Sequence, residues 1–173
     1  MLKLISKKSF IICIVILIAL TAYFTKDLWT EMSVKSTDLS ELTINHIPLS
    51  KNIAEIDLTA YRKNPDFNDK HTKDADHRYF ENFLIVYSSS GEIMKLQTLS
   101  ESEFSSIDGH KLQKLDDVKN KLGKHFVDQS YDSAQSLNAL VYYDKTNHTK
   151  ASFVYPHNNK QDQIVVWTIL EKY

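Results

Sequence analysis

Glycine is scarce: there are 3 in 173 residues, where average usage of about 7% would give roughly 12. Gly91, Gly109 and Gly123 stand at least 14 residues apart. A phosphate cradle or dinucleotide fingerprint needs two or three glycines within a few residues, so that backbone N–H groups can approach the anion. Both are excluded. One cysteine, Cys13, makes neither an intrachain disulfide nor a cysteine-rich zinc site. No G-x-S-x-G elbow is present, and His110 and His125 have no recognisable nucleophile beside them. Asp116 and Asp117 are adjacent, so on a helix they project about 100° apart and do not converge on one substrate atom. Glu101 and Glu103 read as linker charge. These absences point to a non-enzymatic chain without a cofactor.

Basic residues are in short supply over most of the chain. Residues 30–173 carry 17 Lys and Arg against 21 Asp and Glu, a net charge of about −4. Nucleic acid calls for a basic face, so no nucleic-acid partner is expected.

What is present begins with an N-terminal segment unlike the rest. Lys3, Lys7 and Lys8 precede an uncharged run from Ser9 to Thr25, apolar at nearly every position between Phe10 and Phe24. Extended to Trp29, with Lys26 snorkelling and Tyr23 and Trp29 in the interface, the run is long enough to span a bilayer. The lysines before it predict a cytoplasmic N-terminus and an exterior C-terminal domain. The segment 1–29 therefore reads as a single-pass anchor in the cell membrane. The alternative is a cleaved signal peptide and a secreted protein, although Ala19-Leu20-Thr21 and Leu20-Thr21-Ala22 are poor small-x-small sites.

Residues 30–40 read as a stalk. The remainder predicts an α+β fold of two units, 41–100 and 107–173, each a helix followed by antiparallel sheet. In the second, Asp108-Gly109 marks a turn, and Leu112, Leu115, Val118 and Leu122 are spaced by three and four, the pattern of one helix face. Gly123 follows, where a C-terminal cap is wanted. Strands are expected at His125–Gln129, Leu137–Tyr143, Ala151–Tyr155 and Ile164–Leu170. In the first unit, Leu42–Ile47 predicts a strand and Ser50 caps a helix over Lys51–Leu58. Tyr79–Tyr87 and Ile93–Leu99 form a hairpin around Gly91, and Ser100–Ser106 links the units.

The run Ile107-Asp-Gly109, Leu112, Leu115-Asp-Asp-Val118 and Leu122-Gly123-Lys124 resembles the motif of small extracytoplasmic helix-plus-antiparallel-sheet repeats. Proteins of the BamE/SmpA and β-lactamase-inhibitor-protein types carry it, as do membrane-tethered proteins of Gram-positive bacteria. The resemblance implies a module that binds another protein and does not catalyse.

Aromatic residues on strands supply the candidate binding face: Tyr142, Tyr155 and Trp167. The expected partners are the cell membrane, through the N-terminal helix, and a protein or envelope component held by the sheet. His71, Asp74, Asp76 and His77 have side chains able to bind a divalent metal. Lys70, Lys73 and Arg78 are interleaved with them, and the stretch reads better as a polar loop than as a metal site. An envelope hydrolase built on this region is one alternative function. A minor-pilin-like subunit processed before Phe10 is another, though Ile14 stands where such subunits usually carry glutamate and Ser9 replaces their glycine.

Overall fold

The computed structural model describes residues 12–17, 21, 31–99, 105–157 and 164–173. The chain divides into two compact units, Met1–Val34 and Lys35–Tyr173. In the first, residues 12–17 and 31–33 are helical, and the Thr21 hydroxyl donates to the Leu17 carbonyl at 3.0 Å. Among the described residues no helix is long and apolar enough to cross a membrane. The single-pass anchor expected over 1–29, and the membrane location built on it, are therefore not supported. Most of that segment, including the junction before Phe10, lies outside the described residues.

The second unit is chiefly antiparallel β-structure. Its small sheet is made of two hairpins, β1 (Leu42–Ile44) with β2 (Ile47–Pro48) and β7 (Ser105–Ile107) with β8 (His110–Lys111), in the order β2-β1-β7-β8. Each hairpin turns through two residues of positive φ: Asn45 at 52° and His46 at 64° in one, Asp108 at 49° and Gly109 at 73° in the other. Two left-handed residues define the tight turn whose twist matches that of the flanking strands. Asn and Asp tolerate this conformation and Gly adopts it freely.

The large sheet has eight strands in the order β3-β4-β5-β6-β12-β11-β10-β9. They are β3 (Lys70–His71), β4 (Ala75–Tyr79), β5 (Phe83–Ser88), β6 (Ile93–Thr98), β9 (Val127–Asp132), β10 (Leu137–Asp144), β11 (Thr149–Pro156) and β12 (Trp167–Lys172). Two four-stranded meanders thus meet through their last strands, with Gln97, Leu96 and Lys95 opposite Ile169, Leu170 and Glu171. Strand side chains alternate between faces. One face carries Phe83, Ile85, Leu96, Leu170, Ala151, Phe153, Leu140 and Tyr142 into a common core with Leu42, Ile44, Ile47 and Leu49 of the small-sheet side.

Helix α1 (Leu115–Leu122) adds Leu115, Val118 and Leu122 to that core. Asp117 accepts from the Lys114 amide, and Gly123 ends the helix at φ 80°. The first half has no counterpart. The helix expected over Lys51–Leu58 is replaced by two 3-10 turns, Ile53–Glu55 and Leu58–Ala60. Asn52 and Asp57 side chains bond the amides of Ala54 and Thr59, each two residues ahead. Short polar side chains that bond the local backbone compete with the helical ladder. The predicted α+β pair of helix-then-sheet units is corrected accordingly: among the described residues of this unit α1 is the only α-helix.

Two segments expected to be connectors are structural. Ser105 and Ser106 belong to β7 and are buried. Thr37 and Leu39, in the expected stalk 30–40, donate their amides to the Tyr143 carbonyl at 2.8 Å and the Asp144 carboxylate at 3.2 Å. Residues 100–104 lie outside the described residues, and with them Glu101 and Glu103.

Candidate functional site

The face of the large sheet opposite the core cluster is organised by register. Its apolar residues Val141, Ile169, Ala139 and Val154 are themselves buried, and Phe67 and Tyr131 are exposed rings on it. One row across seven strands reads Tyr79, Leu84, Gln97, Ile169, Ser152, Val141 and Val127. The next reads His77, Val86, Lys95, Glu171, Lys150 and Tyr143. In this second row Glu171 pairs with Lys150 at 3.1 Å and Lys95 at 3.8 Å, an ionic ladder over three strands.

Two aromatic pairs lie on this face as well. Phe67 stacks on Tyr79, with ring centroids 5.4 Å apart and planes 17° from parallel. Tyr131 meets Trp167 at 6.3 Å and 56°. Tyr131 owes its position to an irregularity of β9, where the partners of Leu137 and Asn138 are Asp132 and Ser130. Two residues then oppose one, and such a bulge re-aims a side chain. Burial, with the negative charges of Glu171 and Asp132, raises the Tyr131 phenol above its ordinary pKa. Phe67 and Tyr131 are 55% and 43% exposed, so both rings are open to a partner.

Of the three residues expected to form the binding face, two lie elsewhere. Tyr142 is fully buried, packs on Phe126 and Phe153, and donates its hydroxyl to the Gly123 carbonyl at 2.9 Å. It fastens the end of α1 to the sheet. Tyr155 is 4% exposed and donates to the Asp128 carboxylate at 2.8 Å. Burial and that carboxylate push its phenol up to about 12. Both belong to the core face and are corrected as surface residues. Trp167 is half-buried on the opposite face, beside Tyr131. Tyr131 sits in the polar stretch Val-Asp-Gln-Ser-Tyr-Asp and Phe67 follows Pro65-Asp66, so neither stood out in the sequence.

The residues considered for metal are dispersed. On β4, Asp76 and Arg78 share one face while His77 points to the other. His71 pairs with Asp76, and Asp74 lies in the bend between β3 and β4. Among the described residues no group of three or more His, Cys, Asp or Glu is placed to hold a metal ion. His71 and His77 do not converge, so the hydrolase alternative has no assembled centre there.

A cleft of about 290 Å³ lies between residues 39–50 and the β10–β11 turn. Leu39, Leu49 and Leu170 give it an apolar lining, and Asp144 lies at its side. The Asp144 carboxylate accepts from the amides of Leu39, Thr146 and Asn147 and from the Asn147 side chain. Burial opposes its ionisation, but these bonds outweigh burial and hold the carboxyl below the usual range. With every lone pair engaged, Asp144 is a structural cap rather than a base. No protein-family model, no curated protein and no solved structure matches this chain.

Proposed function

We propose that this chain is a non-enzymatic binding module that holds a partner protein against the outer face of its eight-stranded sheet. The observation that carries the reading is the Tyr131–Trp167 pair, which lies on the face away from the core and leaves the tyrosine ring open. Exposed aromatic anchors ringed by polar groups are the usual centre of a protein-binding surface. The ladder of Lys95, Glu171 and Lys150 supplies the charges that set orientation more than affinity. The motif over Ile107–Lys124, with its resemblance to small repeat proteins that bind other proteins, points the same way.

The test is site-specific photo-crosslinking in intact cells. A photoreactive residue at Ser152 or Gln97, on the outer face, is expected to capture one defined protein. The same residue at Lys111, on the exposed β8 strand, is expected to capture none. Identical adducts from all three positions, or none from the outer face, would remove this reading.

A further inference from the structure

The edge of the large sheet at β4 is covered by a segment, residues 65–74, in which every residue is exposed overall and the Asp69 side chain is partly covered. A segment without buried apolar side chains draws nothing from the hydrophobic core, so polar contacts must hold it. Its strand β3 contributes two residues, with Lys70 opposite His77 and His71 opposite Asp76. The remaining fastenings are mostly ionic. The Asp69 carboxylate accepts from Lys63 at 3.0 Å, from Arg78 at 3.1 Å and from the Tyr79 amide at 3.2 Å. His71 pairs with Asp76. Thr72 closes the turn, its amide and hydroxyl donating to the Ala75 carbonyl at 3.0 Å and 2.6 Å. A cavity of about 260 Å³, lined by Asp69, Lys70, His71, Asp76 and Arg78, shows how little packing lies beneath. Phe67 adds an apolar contact by stacking on Tyr79.

We propose that residues 65–74 form an ionic strap that closes the β4 edge and opens in acid or at high salt while the rest of the sheet stays folded. The charged and titratable groups facing one another are Lys63, Asp69, Lys70 and His71 on the strap side and Asp76, His77, Arg78 and Tyr87 on the sheet. For Asp69, burial alone would raise the carboxyl, but the bonds from Lys63, the Tyr79 amide and Arg78 hold it below its ordinary value. The bond from His71 lowers Asp76 likewise. A carboxylate whose folded pKa is lowered contributes stability that is complete at neutral pH and lost as pH falls through the folded value. The strap therefore weakens below the usual carboxylate range. Salt weakens it at any pH, because these pairs lie at the surface. An open strap leaves the β4 edge with unpaired backbone groups, the arrangement that accepts an added strand.

Hydrogen exchange on the full chain tests this, with the Thr72 and Tyr79 amides as reporters of the strap and the Leu96 and Leu170 amides as reporters of the sheet. In about 1 M salt at neutral pH, where the screening length is about 3 Å, strap protection factors are expected to fall by about tenfold with sheet protection unchanged. Asp69→Asn and Asp76→Asn are each expected to produce a loss in the same direction at low salt. Strap amides indifferent to salt and to both substitutions would overturn the proposal. So would strap and sheet amides that lose protection together.

Discussion

Tyr131 and Trp167 belong to strands separated by two others, yet their rings lie 6.3 Å apart. Three strand spacings amount to about 14 Å, so the two side chains lean toward each other across β10 and β11. Ala139 and Val154 lie between them on the same face and are fully buried. The pair thus makes a compact aromatic surface from residues far apart in the chain. Trp29 and Trp167 are the only tryptophans. In a Trp29→Phe background, Tyr131→Ala is expected to shift Trp167 emission to the red. Loss of one aromatic contact at this half-exposed site is expected to cost about 0.5–1.5 kcal/mol while abolishing the crosslink from Ser152. Unchanged emission would mean that the rings do not meet in solution.

Gly91 holds the β5–β6 turn at φ +83°, and a Cβ there would lie 2.6 Å from the Asn52 side-chain oxygen. That oxygen caps the Ile53–Glu55 turn, and the Asn52 amide group donates to the Ser90 carbonyl. Gly91→Ala is therefore expected to destabilise by about 1–3 kcal/mol. Asn52→Ala removes the obstacle, so the double variant should lose less than the sum of the two single losses. Urea unfolding of the four proteins measures the coupling, and strict additivity would refute the contact.

Asp144 gathers four donors and ties residue 39 to the β10–β11 turn. Asp144→Asn keeps the shape but removes the charge, with an expected loss of about 1–3 kcal/mol near neutral pH. Its carboxyl is held below the ordinary value, so its contribution is complete at neutral pH and fades as pH falls through the folded value. The thermal midpoints of the native protein and the variant should therefore converge in acid. A gap of constant size would show that charge at Asp144 contributes nothing.

Tyr142 and Tyr155 answer to stability, not binding. Tyr142→Phe removes the bond to the Gly123 carbonyl and is expected to cost about 1 kcal/mol. Tyr142→Ala empties a fully buried ring site and should cost about 3–5 kcal/mol. Folded Tyr142→Phe should crosslink from Ser152 as the native chain does. Loss of that crosslink at full stability would place Tyr142 in the binding surface.

Much of the local structure is legible in the residues. The spacing of Leu115, Val118 and Leu122 before Gly123 marks α1, and the apolar runs on either side of Gly91 mark β5 and β6, although the expected strand Tyr79–Tyr87 is broken by a turn after Tyr79, which ends β4. The helix expected over Lys51–Leu58 is the clearest failure. Ile53, Ile56 and Leu58 suit a helix face, but Asn52 is drawn away to the Ser90 carbonyl and Ile53 to the Gly91 carbonyl. Those partners lie nearly forty residues on, outside any local window. The binding face shows the same limit. Alternation indicates that Phe153 and Tyr155 share a face, and that Tyr142 and Tyr143 do not. It carries no information on which face becomes covered.

Side-chain period and φ preferences within a few residues specify α1, the turns at Gly91 and at Asp108-Gly109, and the faces of the longer strands. They did not reveal the Asn45-His46 turn, which splits the expected Leu42–Ile47 strand into β1 and β2. Long-range packing sets β6 beside β12 and β1 beside β7, and places α1 over the Tyr142 side while leaving Trp167 with Tyr131. Pairing between distant strands is set by the total apolar area the two halves bury together, a property of the closed chain and of no single segment. The shortage of glycine fits that division. Gly91, Gly109 and Gly123 each take a positive φ, at a hairpin turn, a second hairpin turn and a helix end. Each marks where the backbone turns, while the contacts made after the turn come from the packing.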